Sequence, residues 1–511
     1  MGKINPVVAG FHLEIPPPTL SDTAGDLQRL LRSIKQVAGV DQVKVELPAL
    51  KGLGEKLRRN DWKARVVLAD TGEGPRLLGV DTAPVTAPLL GLAVDVGTTT
   101  LVADLVDLST GQVLASCTHY NPQRKVGTDV TSRLIYAEEP GGLEEMHRDV
   151  VAELNRMVAG LANQALVNPA DIWAAVAAGN SIMTHILLGL DPTTIRREPY
   201  VPLTTDYPPV EAGRLGLNIN PAGLLVCLPG ASGYVGGDIT AGLLATGVRE
   251  AESLTVFVDI GTNGETVLGN RDWLMACSGS AGSAFEGCGI QFGMFAGPGA
   301  IEGVEVYPGG EVRYRTVGNL PPRGLCGSGL IELLSTLMKA GIINRQGKLE
   351  KEAGPRVREG AEGWEFVVVP GSEAAEGRDI VLTQVDLDNL IRDKAALFAG
   401  SFILLQSAGL SFGDIERLLI AGNFGEHLHV EEAVRIGLLP DIPRDRISFV
   451  GNTSLAGARA ALLSRENLHQ ARDLARGITC LELTNQPGYY EAFVSALFLP
   501  HTDLSLFPSA G

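Results

Sequence analysis

The sequence has 511 residues, too many for one hydrophobic core and suited to two or three domains. Hydrophobic residues make up 45% and charged residues 20%, the composition of a soluble globular protein, and the formal net charge of −17 excludes the dense basic face that a nucleic-acid partner requires. No basic segment precedes an apolar run at the start, and no uncharged apolar run could span a bilayer, so the reading is cytoplasmic, without membrane or nucleic acid. Six cysteines are scattered without a Cys-x-x-Cys pair, which reads as small reduced core residues.

In chain order, residues 1–10 are expected to be a linker remnant. Residues 11–85 form a small α/β middle domain: "FHLEI" alternates like a strand, Thr23 and Asp26 suggest a capping box, and Leu27, Leu30, Leu31, Ile34 and Val37 share a helical face. "VKVEL" and "ARVVLA" read as further strands, and the Pro- and Ala-rich 81–90 as a linker. Residues 86–250 and 251–511 then form two lobes. In the first, Leu143, Met146, Val150, Leu154, Met157 and Leu161 make one helical stripe, "IWAAVAAGN" is a buried strand, and "DITAGLLATGV" is a helix.

Two stretches repeat. "GLAVDVGTTTLVADLVD" (91–107) and "LTVFVDIGTNGETVLGN" (254–270) each run from a buried strand through Asp-x-Gly-Thr into a second apolar strand. A single copy would read as a common hairpin turn. Two copies, each behind a buried strand, read as a duplication whose turns aim backbone N–H groups at an anion. Glycine lets a phosphate approach the backbone, and threonine hydroxyls add donors. An aspartate repels phosphate but can hold Mg²⁺ through water. Two such turns facing across a cleft would cradle a polyphosphate. Neither is a Walker loop, because Gly-Lys-Ser/Thr is absent.

The paired turns resemble the phosphate motifs of the actin, sugar-kinase and heat-shock-chaperone ATPases. "DITAGLLATG" resembles the chaperone helix before the second phosphate turn, and "LLIAGNFGEHL" (418–428) resembles the adenosine motif. "FVGNTSLAGARAAL" (449–462) resembles the closing interdomain helix. More closely, "AVDVGTTT", "NPQRKVGTDVTSR", "DIGTNGE", "AGPGAIEG", "CGSGLIELL" and "AGNFGEHL" together resemble the reductive activators of corrinoid proteins across essentially the whole chain.

That resemblance implies a duplicated ribonuclease-H-like ATPase fold with an interdomain cleft, preceded by a small α/β domain. It implies ATP and Mg²⁺ as cofactors and a corrinoid protein as partner, returned from Co(II) to Co(I). Asp95, Asp238 and Asp259 would be catalytic, Asp95 and Asp259 holding Mg²⁺ through water. Gly97, Thr98, Thr99, Gly261, Thr262 and Asn263 would bind phosphates, and Gly422, Asn423, Phe424 and Gly425 adenosine. The bland alternative for Asp238 is a helix N-cap. The polar run 121–133 reads either as a solvated loop or as a partner-facing segment through Asn121, Gln123, Asp129 and Arg133.

The family carries a two-iron, two-sulfur cluster in an N-terminal ferredoxin-like domain, and this sequence starts at the linker. Electrons are therefore expected from a preceding segment lost by truncation, or from a separate ferredoxin. A homodimer is left open. The eight histidines form no metal array, and His427 and His429 are assigned none. The Gly-rich run 277–303 reads as close-packed turns or as a loop that rearranges with nucleotide. The competing functions are a small-molecule kinase of the same fold and a chaperone-like nucleotide switch. The kinase lacks an identifiable substrate-positioning base, and a chaperone would need a peptide-binding domain after the ATPase.

Overall fold

The computed structural model describes residues 4–82, 84, 87–127, 129–261, 263–279, 282–422 and 429–510. They form two compact units. One gathers residues 1–123, 134–245 and 454–476, the other residues 124–133, 246–453 and 477–511.

The first unit opens with β1 (Val8–Glu14), α1 (Asp26–Ala38), β2 (Lys44–Val45), α2 (Leu47–Leu50), α3 (Leu53–Arg59), β3 (Lys63–Ala69) and β4 (Arg76–Asp81). The strands form one sheet in the order β1–β3–β4–β2. Leu30 and Ile34 of α1 pack with Leu13, Leu57, Val66 and Val80. Within residues 1–10, Val7 is fully buried, its N–H reaches the Leu462 carbonyl, and β1 begins at Val8. Two sequence expectations fail here. Thr23 and Asp26 make no capping box, because α1 starts after Gly25 and Asp26 is instead held by Arg58 at 2.6 Å. "VKVEL" gives only the two residues of β2, since Pro48 lies in the first turn of α2.

A second sheet follows. β5 (Leu90–Val96), β6 (Thr100–Asp107) and β7 (Val113–Tyr120) form an antiparallel meander. Next come α4 (Val130–Ala137), α5 (Gly142–Ala165), β8 (Ile172–Gly179), α6 (Ser181–Leu188), β9 (Val210–Glu211), α7 (Ala212–Leu215), β10 (Leu224–Cys227) and α8 (Gly237–Thr246). The strand order is β7–β6–β5–β8–β10–β9, with β8 parallel to β5 and β10 parallel to β8. On α5, Met146, Val150, Leu154, Met157 and Leu161 are all buried, as the 3.6-residue spacing requires.

The second unit repeats the pattern. β11 (Thr255–Asp259), β12 (Glu265–Gly269) and β13 (Leu274–Ser278) form an antiparallel meander. An insertion carries β14 (Ala300–Val306), β15 (Val312–Thr316), β16 (Gly324–Leu325), α9 (Gly327–Lys339), β17 (Val357–Gly360), β18 (Gly363–Val369) and β19 (Ile380–Thr383). Then come α10 (Gln384–Ser407), β20 (Arg417–Ala421), α11 (Val430–Arg435) and β21 (Ile447–Gly451), and, after α12 (Thr453–Leu463) and α13 (Arg465–Gly477), whose residues 454–476 belong to the first unit, β22 (Ile478–Cys480) and α14 (Tyr489–Ala496). The sheet order is β21–β20–β11–β12–β13–β22. In both large sheets the first strand lies between the second strand of its meander and a parallel fourth strand, β8 or β20. That shared order is the duplication seen in three dimensions. Among the described residues, no helix is long and apolar enough to cross a membrane.

Candidate functional site

The first turn joins β5 to β6. Asp95 is the penultimate residue of β5, paired with Val102 of β6 and in register with Ala178 of β8. Asp95 and Gly97 are partly exposed, whereas Thr98, Thr99 and Thr100 are buried. A Cβ on Gly97 would lie 2.6 Å from the Thr100 carbonyl oxygen, so only glycine closes this turn. Three side chains hold it. Asn121 Nδ2 donates to the Gly97 carbonyl at 2.9 Å, while the Asn121 N–H donates to the Thr99 carbonyl. Asn180 Nδ2 donates to Thr98 Oγ1 at 3.0 Å, and its Oδ1 caps α6 by accepting from Met183 N–H. Ser454 Oγ donates to Asp95 Oδ1 at 2.8 Å.

Asp238 lies in the first turn of α8. Burial, with the Asp95 carboxylate adding to it, pushes Asp238 up to about 7. The Asp95 carboxylate at a strand end and the Asp238 carboxylate at a helix start, which repel each other, are a donor set that a hydrated divalent cation fits. The preceding Gly236 and Gly237 permit the approach: a Cβ on Gly236 would fall 2.5 Å from the Asn180 Cα, and one on Gly237 2.4 Å from the Leu228 carbonyl oxygen. From behind, α12 closes on α8, because a Cβ on Gly457 would sit 2.1 Å from the Ala241 carbonyl oxygen. The N-cap alternative for Asp238 does not hold: α8 already begins at Gly237, and the Asp238 carboxylate accepts from the adjacent Ile239 N–H.

The second turn joins β11 to β12. Asp259 closes β11, opposite Glu265 and in register with Ala421 of β20. Asp259 and Gly261 are partly exposed, as in the first turn. Space around Gly261 is ample: a Cβ there would meet nothing nearer than Asp259 Oδ1 at 3.9 Å. Asn263 is 9% exposed, and no side-chain hydrogen bond is formed by it among the described residues. Gly264 has φ 67°, the left-handed region that favours glycine. Thr262 lies outside the described residues.

Of the remaining expected site residues, Gly422 follows β20 directly, with its N–H on the Gly451 carbonyl. Asn423, Phe424 and Gly425 lie outside the described residues. The partner-facing expectation is overturned for three residues of four. Asn121 and Gln123 are each 1% exposed and Arg133 is fully buried. Asn121 holds the first turn, Gln123 Nε2 donates to the Met146 carbonyl, and Arg133 Nε donates to the Gly127 carbonyl. All three side chains donate to backbone carbonyls. Asp129, partly exposed, accepts from Ser132 N–H at the start of α4.

Sequence reasoning missed Asn180, Ser454, Gly236 and Gly457. One signal was present: Ala178-Gly179-Asn180 and Ala421-Gly422-Asn423 are the same tripeptide. Their alanines sit in register with the two aspartates, so the tripeptide belongs to the repeat.

Comparison with known proteins agrees along the whole chain. Residues 253–511 match the model of the C-terminal domain of RACo, the ASKHA domain; residues 90–251 match the RACo middle region, and residues 1–85 the RACo linker region. The chain is 33% identical over 417 residues to the corrinoid activation enzyme RamQ of Eubacterium limosum, covering 80% of this chain and 70% of that protein. It is 26% identical over 278 residues to the Co(II) methylated amine-specific corrinoid protein reductase of Methanosarcina barkeri, covering 50% of this chain and 47% of that one. The solved structure of a reductive activator for corrinoid, iron–sulfur protein superposes with a TM-score of 0.94 at 45% identity, covering 99% of this chain and 81% of that chain.

Proposed function

The chain belongs to the RACo family, and from that premise we propose that it is an ATP-driven reductive activator that returns the Co(II) corrinoid of a partner protein to Co(I). The observation that carries the reading is the pair Asp95 and Asp259, each at the end of a first strand and in register with the alanine of an Ala-Gly-Asn tripeptide. The reduction takes one electron, supplied by a ferredoxin-type iron–sulfur donor.

In this reading the amides of Gly97–Thr99 and Gly261–Asn263 donate to phosphate oxygens. Asp95 and Asp259 would hold magnesium through water, and the ion would supply charge neutralisation to the bound phosphates. Asp238 orients the attacking water, and its raised pKa suits it to hold a proton near neutral pH. Gly422 with residues 423–425 receives the adenosine.

Co(I) corrinoids are strong reductants, so the transfer from a ferredoxin-level donor runs uphill. A deficit of ~59 mV costs a factor of ten in equilibrium constant for one electron. ATP therefore acts on the partner complex: the nucleotide-bound form binds the Co(II) partner in a geometry that eases its reduction. A ligand shifts such an equilibrium only through differential affinity, and reciprocity requires the Co(II) partner to tighten nucleotide binding by the same factor. The test is calorimetry of a non-hydrolysable ATP analogue with and without a Co(II) corrinoid protein, alongside ATP turnover. The expected result is tighter analogue binding, by roughly 5- to 150-fold, with stimulated turnover. Equal affinities in the two titrations would remove the coupling. Turnover stimulated by a small hydroxyl or carboxylate compound instead would favour a kinase.

A further inference from the structure

The two repeats treat the residue after the third strand differently. After β7 stands Asn121, whose N–H returns to the turn at the Thr99 carbonyl and whose side chain ties the Gly97 carbonyl. After β13 stands Gly279, whose N–H returns to the turn at the Gly264 carbonyl at 3.0 Å. Gly279 has no side chain to add the second tie, and a Cβ there would press at 3.1 Å on the Ala396 carbonyl oxygen of α10 and at 3.2 Å on that of Gly264.

A carboxylate from α10 takes up the missing work. Asp393, 5% exposed, accepts from Gly282 N–H with Oδ1 at 2.9 Å and from Ala284 N–H with Oδ2 at 2.7 Å. The contact with Gly282 is so close that a Cβ there would lie 2.4 Å from Oδ1. The chain beyond β13 is thus held to the phosphate turn at Gly279 and to α10 at Gly282 and Ala284. We infer that Asp393 is a positioning residue for the second phosphate turn, fixing Gly282 and Ala284 so that Asn263 and Gly264 keep their nucleotide-binding geometry. The inference rests on the ATP reading above. Burial pushes the Asp393 carboxyl up to about 6 against the pull of its two amide donors and of Arg392, which leaves it ionised and an acceptor on both oxygens at neutral pH. An asparagine in its place would point an N–H₂ donor at one of two N–H donors.

The experiment compares wild type, Asp393→Asn and Asp259→Ala at pH 7.5, measuring affinity for a magnesium ATP analogue, KM and kcat for ATP, and melting temperature. The expected result for Asp393→Asn is analogue affinity about tenfold weaker, the scale of one charge-assisted hydrogen bond, with KM raised by a similar factor. A lowered melting temperature with unchanged affinity and KM would show Asp393 to be merely structural and overturn the inference. Wild type that binds no analogue, or Asp259→Ala with normal turnover, would instead bring down the ATP reading. If Asp393→Asn does not fold, hydrogen exchange on wild type decides: the analogue should slow exchange across residues 282–287, and unchanged exchange there overturns the inference.

Discussion

The two Asp-x-Gly-Thr turns share a register and differ in how they are held. The first is tied by side chains: Asn121 and Asn180 bond the Gly97 carbonyl and the Thr98 hydroxyl, and Ser454 of α12 fixes Asp95. The second leaves its equivalent polar group unspent, since Asn263 forms no side-chain hydrogen bond among the described residues while nine-tenths buried. Its steadying contacts come through the Gly279 backbone N–H and the Asp393 carboxylate of α10. A duplicated motif therefore yields one turn built as a rigid seat and one whose polar side chain is available to a ligand.

The largest effect tests what the turns share. Asp95→Ala and Asp259→Ala should each lower kcat for ATP hydrolysis on the order of 10²-fold or more, the scale of losing a group that stabilises transition-state charge. Circular dichroism should stay native in both. Because the two aspartates occupy equivalent positions, a loss confined to one variant would break the equivalence, and wild-type turnover in either would remove that residue from the site.

The next effect tests what the turns do not share. Asn180→Ala removes the hydrogen bonds to Thr98 Oγ1 and from Met183 N–H, so unfolding in urea should show a loss of about 1–3 kcal/mol. Asn263→Ala removes no side-chain hydrogen bond among the described residues, so its stability should stay within about 0.5 kcal/mol of wild type, while the ATP analogue binds several-fold more weakly. The opposite pattern, a stable Asn180→Ala beside an unstable Asn263→Ala, would reverse the assignment of seat and ligand contact.

Much of this was legible in the sequence, and the reason is periodicity. The stripe on α5 and the two strand–turn–strand copies come from local spacing, and spacing survives folding. The ties were not legible, because burial of a polar side chain is a tertiary fact. Asn121, Gln123 and Arg133 sit in a polar run that reads as solvated or partner-facing, yet their groups satisfy backbone carbonyls in the interior. Likewise α12 follows the second repeat in sequence, but its Gly457 packs on Ala241 of α8, in the first unit. Nothing local distinguishes Ser454 from any other serine near a helix start. The Ala-Gly-Asn tripeptide is the exception: as part of the repeat, it could have identified Asn180.

The smallest expected effect is on stability and concerns the one carboxylate that the first turn leaves under strain. Asp238 is raised from 3.8 to about 7 by burial and then by Asp95, so the native state binds its proton more tightly than the unfolded chain does. The sign follows. This contribution to stability is fully present below pH about 4, the unfolded value, and is lost as pH rises through about 7. Above that, the ionised side chain opposes folding. Asp238→Asn should therefore be more stable than wild type at pH 8, by roughly 1–2 kcal/mol once the full linkage value is discounted for the solvent-reachable tip, and the gap should narrow by pH 5 and close below pH about 4. Urea unfolding at the two pH values, with chelator present so that no divalent cation offsets the repulsion, measures the difference. Added Mg²⁺ should shrink the gap at pH 8, because a cation shared with Asp95 relieves the same repulsion that raises the pKa. A gap equal at pH 5 and pH 8 would mean that Asp238 carries no unfavourable charge, and the carboxylate pair would lose its claim to be a cation site. A site that binds a cation and turns over ATP should be less stable without its ligand than a neutral variant of itself, and the first turn offers that comparison with a single atom pair exchanged.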